Sequence, residues 1–221
     1  MKAILECRAG LAEKEAAAAT VLTEVQQKAL DEVAAQVPGL ISAAAVTAGL
    51  DATATVSEDG VLDIALTRWA DAAEVHRFLR ASKWVPKVAA DRLKATLTWR
   101  AEYRPDAISP DEVEPEAVTG KQFLSGFDKK GRPLLFLVPR NENTKTYDRQ
   151  IRYSVFMLEK AVRLMPSGVE RTDVIVDYEN LDMWNATPLS VSLKFLNVLS
   201  SHYPERLGLF VCLSRRLNSK G

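Results

Sequence analysis

Four carboxylates crowd one short stretch of this sequence. Asp173, Asp177, Glu179 and Asp182 stand in and just after TDVIVDYENLD. Acids gathered where a strand ends are placed where α/β sheets bind ligands, a divalent cation included. Alternation along a strand divides them between opposite faces, however, so the spacing reads as a solvated turn more than as a metal site. Tyr178, among them, is a residue type that ligates haem iron in some proteins. A single tyrosine on a strand more often serves packing. His76 and His202 have no patterned Cys, His or Asp neighbours and read as helix-face residues. VTGKQF, at 118–123, lacks the earlier glycines of a phosphate loop and precedes a strand instead of following one. Neither G-x-G-x-x-G nor G-x-S-x-G occurs. Nothing assembles a nucleophile, a base and an oxyanion hole. The residues describe a binding module, not an enzyme, with no metal and no cofactor expected.

Composition narrows the class. The chain has 221 residues, 47% hydrophobic and 26% charged, ordinary for a globular protein. Its 29 basic residues balance 29 acidic ones, so no global charge calls for nucleic acid. Cys7 and Cys212 cannot make a disulfide framework and have no metal-ligand spacing. No signal-peptide core is visible, no apolar run reaches the length of a membrane span, and early acids argue against a transit peptide. The expected location is the cytoplasm.

The elements that must position any site are legible in parts. Residues 1–60 are Ala-rich. They predict one helix over Glu13–Val37, ended by Pro38 and Gly39, within a partly helical or poorly ordered extension. Asp71 with Glu74 predicts a capping box opening AAEVHRFLRAS. Pro86 opens a second helix in which Ala89, Leu93 and Leu97 share a face. Two apolar segments flank DKKGR, where Asp128 and Gly131 supply turn chemistry, so a hairpin is expected. Ile151, Val155, Leu158, Val162 and Met165 recur at helical spacing. TDVIVD reads as a strand. Thr187 and Pro188 begin a helix that is apolar nearly all round and expected to be buried. LGLFVCL, Leu207–Leu213, reads as a strand buried on both faces. Strand, helix and strand at these lengths make a βαβ unit with parallel strands.

Several of these stretches together resemble the CRAL-TRIO lipid-binding family. EVHRFLRASKWVPKVAADRLKATLTWRAEYRP is similar to its N-terminal helical segment. GFDKKGRPLLFLVPRNEN matches its Asp-Lys-x-Gly-Arg-Pro hairpin, VIVDYENL its central strand, and HYPERLGLF its Tyr-Pro-Glu-Arg-Leu-Gly turn. The order and spacing of all four agree over about 66–213, and the nearest likeness is to the phosphatidylinositol-transfer branch. The resemblance implies an α/β fold. A helical segment at 61–105 would precede a mixed-sheet lipid-binding domain at 106–213, with an unrelated polar tail at 214–221.

It also implies a function and a site. A hydrophobic cavity would carry one phospholipid, phosphatidylinositol or phosphatidylcholine, between membranes, with transient attachment to a membrane surface. Each buried methylene contributes roughly 0.8 kcal/mol, so an acyl tail leaving a bilayer loses on the order of 10 kcal/mol. Phe123, Leu135, Leu137, Ile175 and Tyr178 would line the cavity. Lys83 would meet a lipid phosphate and Glu205 the polar headgroup. The family's Arg-Lys pair is Ser82-Lys83 here, which weakens the expectation of tight phosphatidylinositol binding. Two other readings are an interaction module regulating lipid-metabolism enzymes and a carrier of another apolar ligand such as haem.

The likeness stops at about Leu213. Beyond it the family has a gating helix and a further strand, where this sequence has SRRLNSKG. The expectation is an incomplete lipid-binding domain, truncated at its C-terminal side, whose cavity is open and whose hold on lipid is weak.

Overall fold

A computed structural model of the chain describes residues 21–49, 65–181 and 186–213. The Ala-rich start, Asp182 and the polar tail lie outside the described residues. Two compact units emerge, one of helices (20–107 with 198–204) and one built on a sheet (108–197 with 205 onward).

The helical unit begins earlier than the sequence pattern predicts. Thr23 caps helix α1, Glu24–Ala34, through a capping box with Gln26. A turn at Ala35–Gln36 follows, then helix α2, Val37–Thr47. Pro38 therefore opens α2 and does not end α1. Its missing N–H falls in the first turn, where no intrahelical partner exists to lose. Gly39 lies within α2. By length and composition Glu24–Thr47 is apolar enough to cross a membrane, a point the sequence reading missed. In this fold Ala29, Val33, Val37, Ile41 and Ala44 form a buried line along it, packed into the core of the unit.

That core is completed by helix α3, Ala72–Ala81, and helix α4, Pro86–Tyr103. Asp71 caps α3 by accepting from the Glu74 N–H, 2.9 Å. Val75, Phe78 and Leu79 from α3 meet Ala89, Leu93 and Leu97 from α4. The α3–α4 turn places Lys83 and Trp84 in the left-handed region, at φ of 52° and 60°.

The sheet unit has strand order β1-β2-β3-β4. Strands β1, Gln122–Phe127, and β2, Pro133–Leu137, make the expected antiparallel hairpin. Asp128 Oδ1 accepts from the N–H groups of Lys130 and Arg132, 2.8 Å each. Gly131 takes a φ of 78°, where a side chain would be strained. Strand β3, Thr172–Asp177, runs parallel to β2, and β4, Leu207–Leu213, runs parallel to β3. Helix α5, Pro110–Ala117, precedes the hairpin and helix α6, Tyr147–Leu164, follows it. Helix α7, Leu189–His202, connects β3 to β4 and completes the βαβ unit.

Two burial expectations are corrected. In α7 the buried residue is Val191, while Leu189, Leu193 and Leu196 are 74%, 54% and 54% exposed. Strand β4 is exposed along nearly its whole length. It is an edge strand among the described residues, and none of them packs closely over it. An apolar run shows what a segment would bury, not what is present to bury it.

Candidate functional site

The strand register decides which side chains of the sheet share a surface. Phe123 pairs with Phe136, Phe136 with Ile175, and Ile175 with Val211, so these four form one row across all strands. The next row is Leu124, Leu135, Val174 and Phe210, whose side chains point to the other face. Helix α6 lies on that second face. Gln122, on the same face as Leu124, donates from Nε2 to Ser154 Oγ of α6, 2.8 Å, and Tyr153 Oη donates to the Gln122 carbonyl, 2.7 Å. Leu135, Val174 and Val176 are buried there.

The first face is different. Phe123 is 40% and Val211 38% exposed, and Phe136 and Ile175 are only half-buried. The rings of Phe123 and Phe136 stack at 5.0 Å with 7° between their planes. Leu209 and Leu213 alternate with Val211 along β4 and continue this apolar surface. Such a surface fits hydrocarbon and gains by excluding water.

The five residues expected around a cavity thus do not share one surface. Phe123 and Ile175 lie on the exposed apolar face. Leu135 and Leu137 alternate to the α6 face, where Leu135 is fully buried. Tyr178 follows β3, its N–H donating to the Leu213 carbonyl, 2.8 Å, with its side chain 39% exposed. Phe136 and Val211 belong with Phe123 and were missed. Two phenylalanines facing each other across a hairpin were the available signal.

The headgroup candidates fall in different units. Lys83 is exposed in the α3–α4 turn of the helical unit. Glu205 is in the sheet unit at the entry to β4, in the left-handed region at a φ of 55°. Its carboxylate lies 3.6 Å from Arg171 Nη2. Arg206 beside it donates to the Glu170 carbonyl at 3.1 Å and approaches Met165 Sδ.

The acids around β3 have protein partners. Asp173 is buried, accepts from the Leu209 N–H at 2.7 Å, and lies 3.5 Å from Arg132 Nη1. Asp177 pairs with Arg140 at 2.7 Å and also accepts from the Glu179 N–H. The Arg140 guanidinium, with that N–H, holds the Asp177 carboxyl below the ordinary carboxylate range. Arg140 also donates to the Glu179 carbonyl, 3.1 Å, which fixes the turn after β3. Among the described residues no three acids, histidines or cysteines gather as metal ligands.

A buried ionic cluster sets the other end of the hairpin. Glu116, at the end of α5, accepts from Lys121 Nζ, from Arg149 Nε at 2.7 Å and from Thr144 Oγ1 at 2.8 Å. Lys121 also donates to Glu142 at 2.6 Å, and Glu142 accepts from the N–H groups of Asn143 and Thr144, 3.0 Å each. Burial opposes the charge on Glu116, but the donors from Lys121, Arg149 and Thr144 outweigh it and lower its pKa. The segment after β2 is therefore fastened to α5 and α6 by polar contacts. No sequence pattern announces this cluster, since its partners stand as far as 33 residues apart.

Comparison with known proteins agrees with this architecture. Residues 117–214 match the model of the CRAL/TRIO domain. The chain is 41% identical over 140 residues to a CRAL-TRIO domain-containing protein, C23B6.04c, of Schizosaccharomyces pombe. It is 37% identical over 150 residues to the phosphatidylinositol transfer protein PDR17 of Saccharomyces cerevisiae. These matches take in 63% and 62% of this chain but 14% and 43% of the relatives, so it spans less than half of their lengths. The crystal structure of Sfh5 superposes with a TM-score of 0.63 at 15% identity, over 87% of this chain and 72% of that one, a likeness of fold. This protein carries a CRAL/TRIO domain, with the mixed sheet and flanking helices of that fold.

Proposed function

We propose that the chain is a non-enzymatic phospholipid-binding protein that takes acyl chains onto the apolar face of its sheet and exchanges them at a membrane surface. One observation carries the reading. The row Phe123, Phe136, Ile175 and Val211 is apolar in every strand yet half open, while the opposite face of the same sheet is closed by α6. Hydrocarbon binding needs such a surface and no reactive group. The name of one relative, the phosphatidylinositol transfer protein PDR17, supports phosphatidylinositol as one lipid class; phosphatidylcholine is the other. Lys83 is the donor for a lipid phosphate and Glu205 the acceptor for headgroup hydroxyls, with Arg171 beside it. An open face holds a chain less firmly than an enclosed cavity, so retention is weak and exchange fast. The working location is cytoplasmic, at the periphery of a membrane.

The test is titration of the chain with phosphatidylinositol and phosphatidylcholine carrying a fluorescent acyl chain, followed by transfer between vesicles. Saturable binding that is lost in Phe123→Ser and Ile175→Asp supports the proposal. Equal binding by both variants, or no binding of either lipid, overturns it. Lys83→Ala and Glu205→Gln are expected to change headgroup preference while acyl binding persists.

A further inference from the structure

Helix α4 carries two stripes with different partners. Ala89, Leu93 and Leu97 enter the core of the helical unit against α3. Arg92, Thr96, Trp99 and Tyr103 recur at spacings of four, three and four and form the other stripe. That second stripe holds the end of α7, whose residues 198–204 belong to the same unit. Arg92 Nη2 donates to the Ser200 carbonyl, 3.0 Å, and Thr96 Oγ1 to the Ser201 carbonyl, 3.3 Å. The last carbonyls of a helix have no partner inside it, so α4 caps α7 from outside. Trp99 carries the His202 ring flat on its own at 4.2 Å, Tyr203 edge-on at 6.0 Å and Tyr103 stacked at 5.0 Å. Thr96 Oγ1 is also 3.1 Å from His202 Nδ1.

This setting suits a neutral imidazole. A helix C-terminus and an aromatic face both attract a cation. Guanidinium groups already serve those places. Arg92 sits at the Ser200 carbonyl, and buried Arg100 lies over the Trp69 ring at 4.6 Å, its charge acting on His202. The neighbouring rings of Trp99, Tyr103 and Tyr203 bring no negative charge, and no contact of His202 is a carboxylate. A proton there would add a third positive charge in a half-buried place. Burial and Arg100 accordingly lower the His202 pKa to about 4 from 6.5.

We propose that residues 198–204 are an acid-released latch: His202 takes a proton from water and the segment leaves Arg92, Thr96 and Trp99 while the core of the helical unit stays folded. The release is local because the stripe of Ala89, Leu93 and Leu97 keeps its contacts with α3 when the other stripe is bared. Once released, His202 regains its ordinary basicity. The released fraction therefore rises up to about tenfold for each pH unit between 6.5 and 4. An anionic bilayer, at about −30 to −50 mV, lowers the pH at its surface by roughly half to one unit. Contact with such a surface thus helps to free the segment that leads to Glu205; this last step rests on the membrane exchange proposed above, and the latch itself does not.

Amide hydrogen exchange of the full chain without lipid, between about pH 7.5 and 5 and corrected for intrinsic exchange rates, tests the latch apart from lipid binding. Opening of 198–204 should rise about thirtyfold across this range, while the α3 segment Ala72–Ala81 stays level. His202→Phe keeps a ring on Trp99 and cannot take up a proton, so opening of 198–204 should stay level in that variant. No rise in the parent, an equal rise in His202→Phe, or a matching rise in Ala72–Ala81 overturns the proposal. If His202→Phe does not fold, the ring C–H resonances of His202 in the parent decide. Loss of protection at 198–204 in step with titration of the ring supports the latch, and titration with protection intact overturns it.

Discussion

Gly208 lies so close to Asp173 that a Cβ there would stand 2.2 Å from the carboxylate Oδ1 and 3.3 Å from the Thr172 carbonyl. The same oxygen accepts the Leu209 N–H at 2.7 Å. The carboxylate is buried, so it cannot retreat into solvent. Gly208→Ala is therefore expected to displace Asp173 and break its bond to the Leu209 N–H, beside the first residue pair of β3 and β4. The cost is about 1–3 kcal/mol, the range for overpacking and for a buried polar group losing its partner. Urea denaturation compares it with the parent chain, and an unchanged midpoint would refute the close approach.

Glu116 gathers three donors inside the sheet unit, two of them cationic. Glu116→Ala leaves Lys121 with Glu142 alone and Arg149 without its carboxylate. Breaking a buried ion pair from one side costs about 3–5 kcal/mol. Glu116→Gln keeps one acceptor and should cost less. The lowered Glu116 pKa gives the sign with pH. Its contribution is full above the unfolded value of 4.5 and is lost as pH falls through the lower folded value. Denaturant midpoints at pH 7 and pH 3.5 should therefore converge between the parent and Glu116→Gln.

His202 behaves in the opposite sense to a salt-bridged histidine. Its ring stacks on Trp99 at 4.2 Å with 5° between the planes, and its Nδ1 is 3.1 Å from Thr96 Oγ1. Burial, together with the charge of Arg100, pulls its pKa down to about 4 from 6.5. A depressed basic group stabilises the fold fully above its unfolded pKa. That stability is lost as pH falls from about 6.5 toward 4, because the unfolded chain takes up the proton first. His202→Gln should flatten the stability profile over this interval in thermal melts, and an identical slope in both proteins would contradict the stacking arrangement.

The two faces of β2 and β3 predict a clean separation of effects. Leu135→Ala removes a fully buried side chain beneath α6 and should cost about 2–5 kcal/mol of stability. Phe123→Ser, on the open face, should cost much less and abolish acyl-chain binding. Melting temperature and lipid titration on the two variants read the separation directly.

Much of the fold was legible because its signals are local. The hairpin turn needs Asp128 and Gly131, and the five positions from Ile151 to Met165 repeat at helical spacing whatever surrounds them. Pro38 was misread because proline both ends helices and begins them, and only the turn at Ala35–Gln36 tells which. The site was less legible. Listing strand residues without their register mixed Leu135 and Leu137 with Phe123 and Ile175, since a shift of one residue exchanges the faces. The partners Arg140–Asp177 and Arg149–Glu116 are distant in sequence and carry no pattern. Exposure of α7 and β4 depends on what covers them, which no property of their own residues states.

The register shift at Ser125–Gly126 has a consequence for how the hairpin can change. Between the Leu124–Leu135 and Phe127–Pro133 pairs β1 takes three steps where β2 takes two. The spare residue acts as slack: a change of length near the turn is absorbed there, and the Phe123–Phe136 stack beyond it keeps its place.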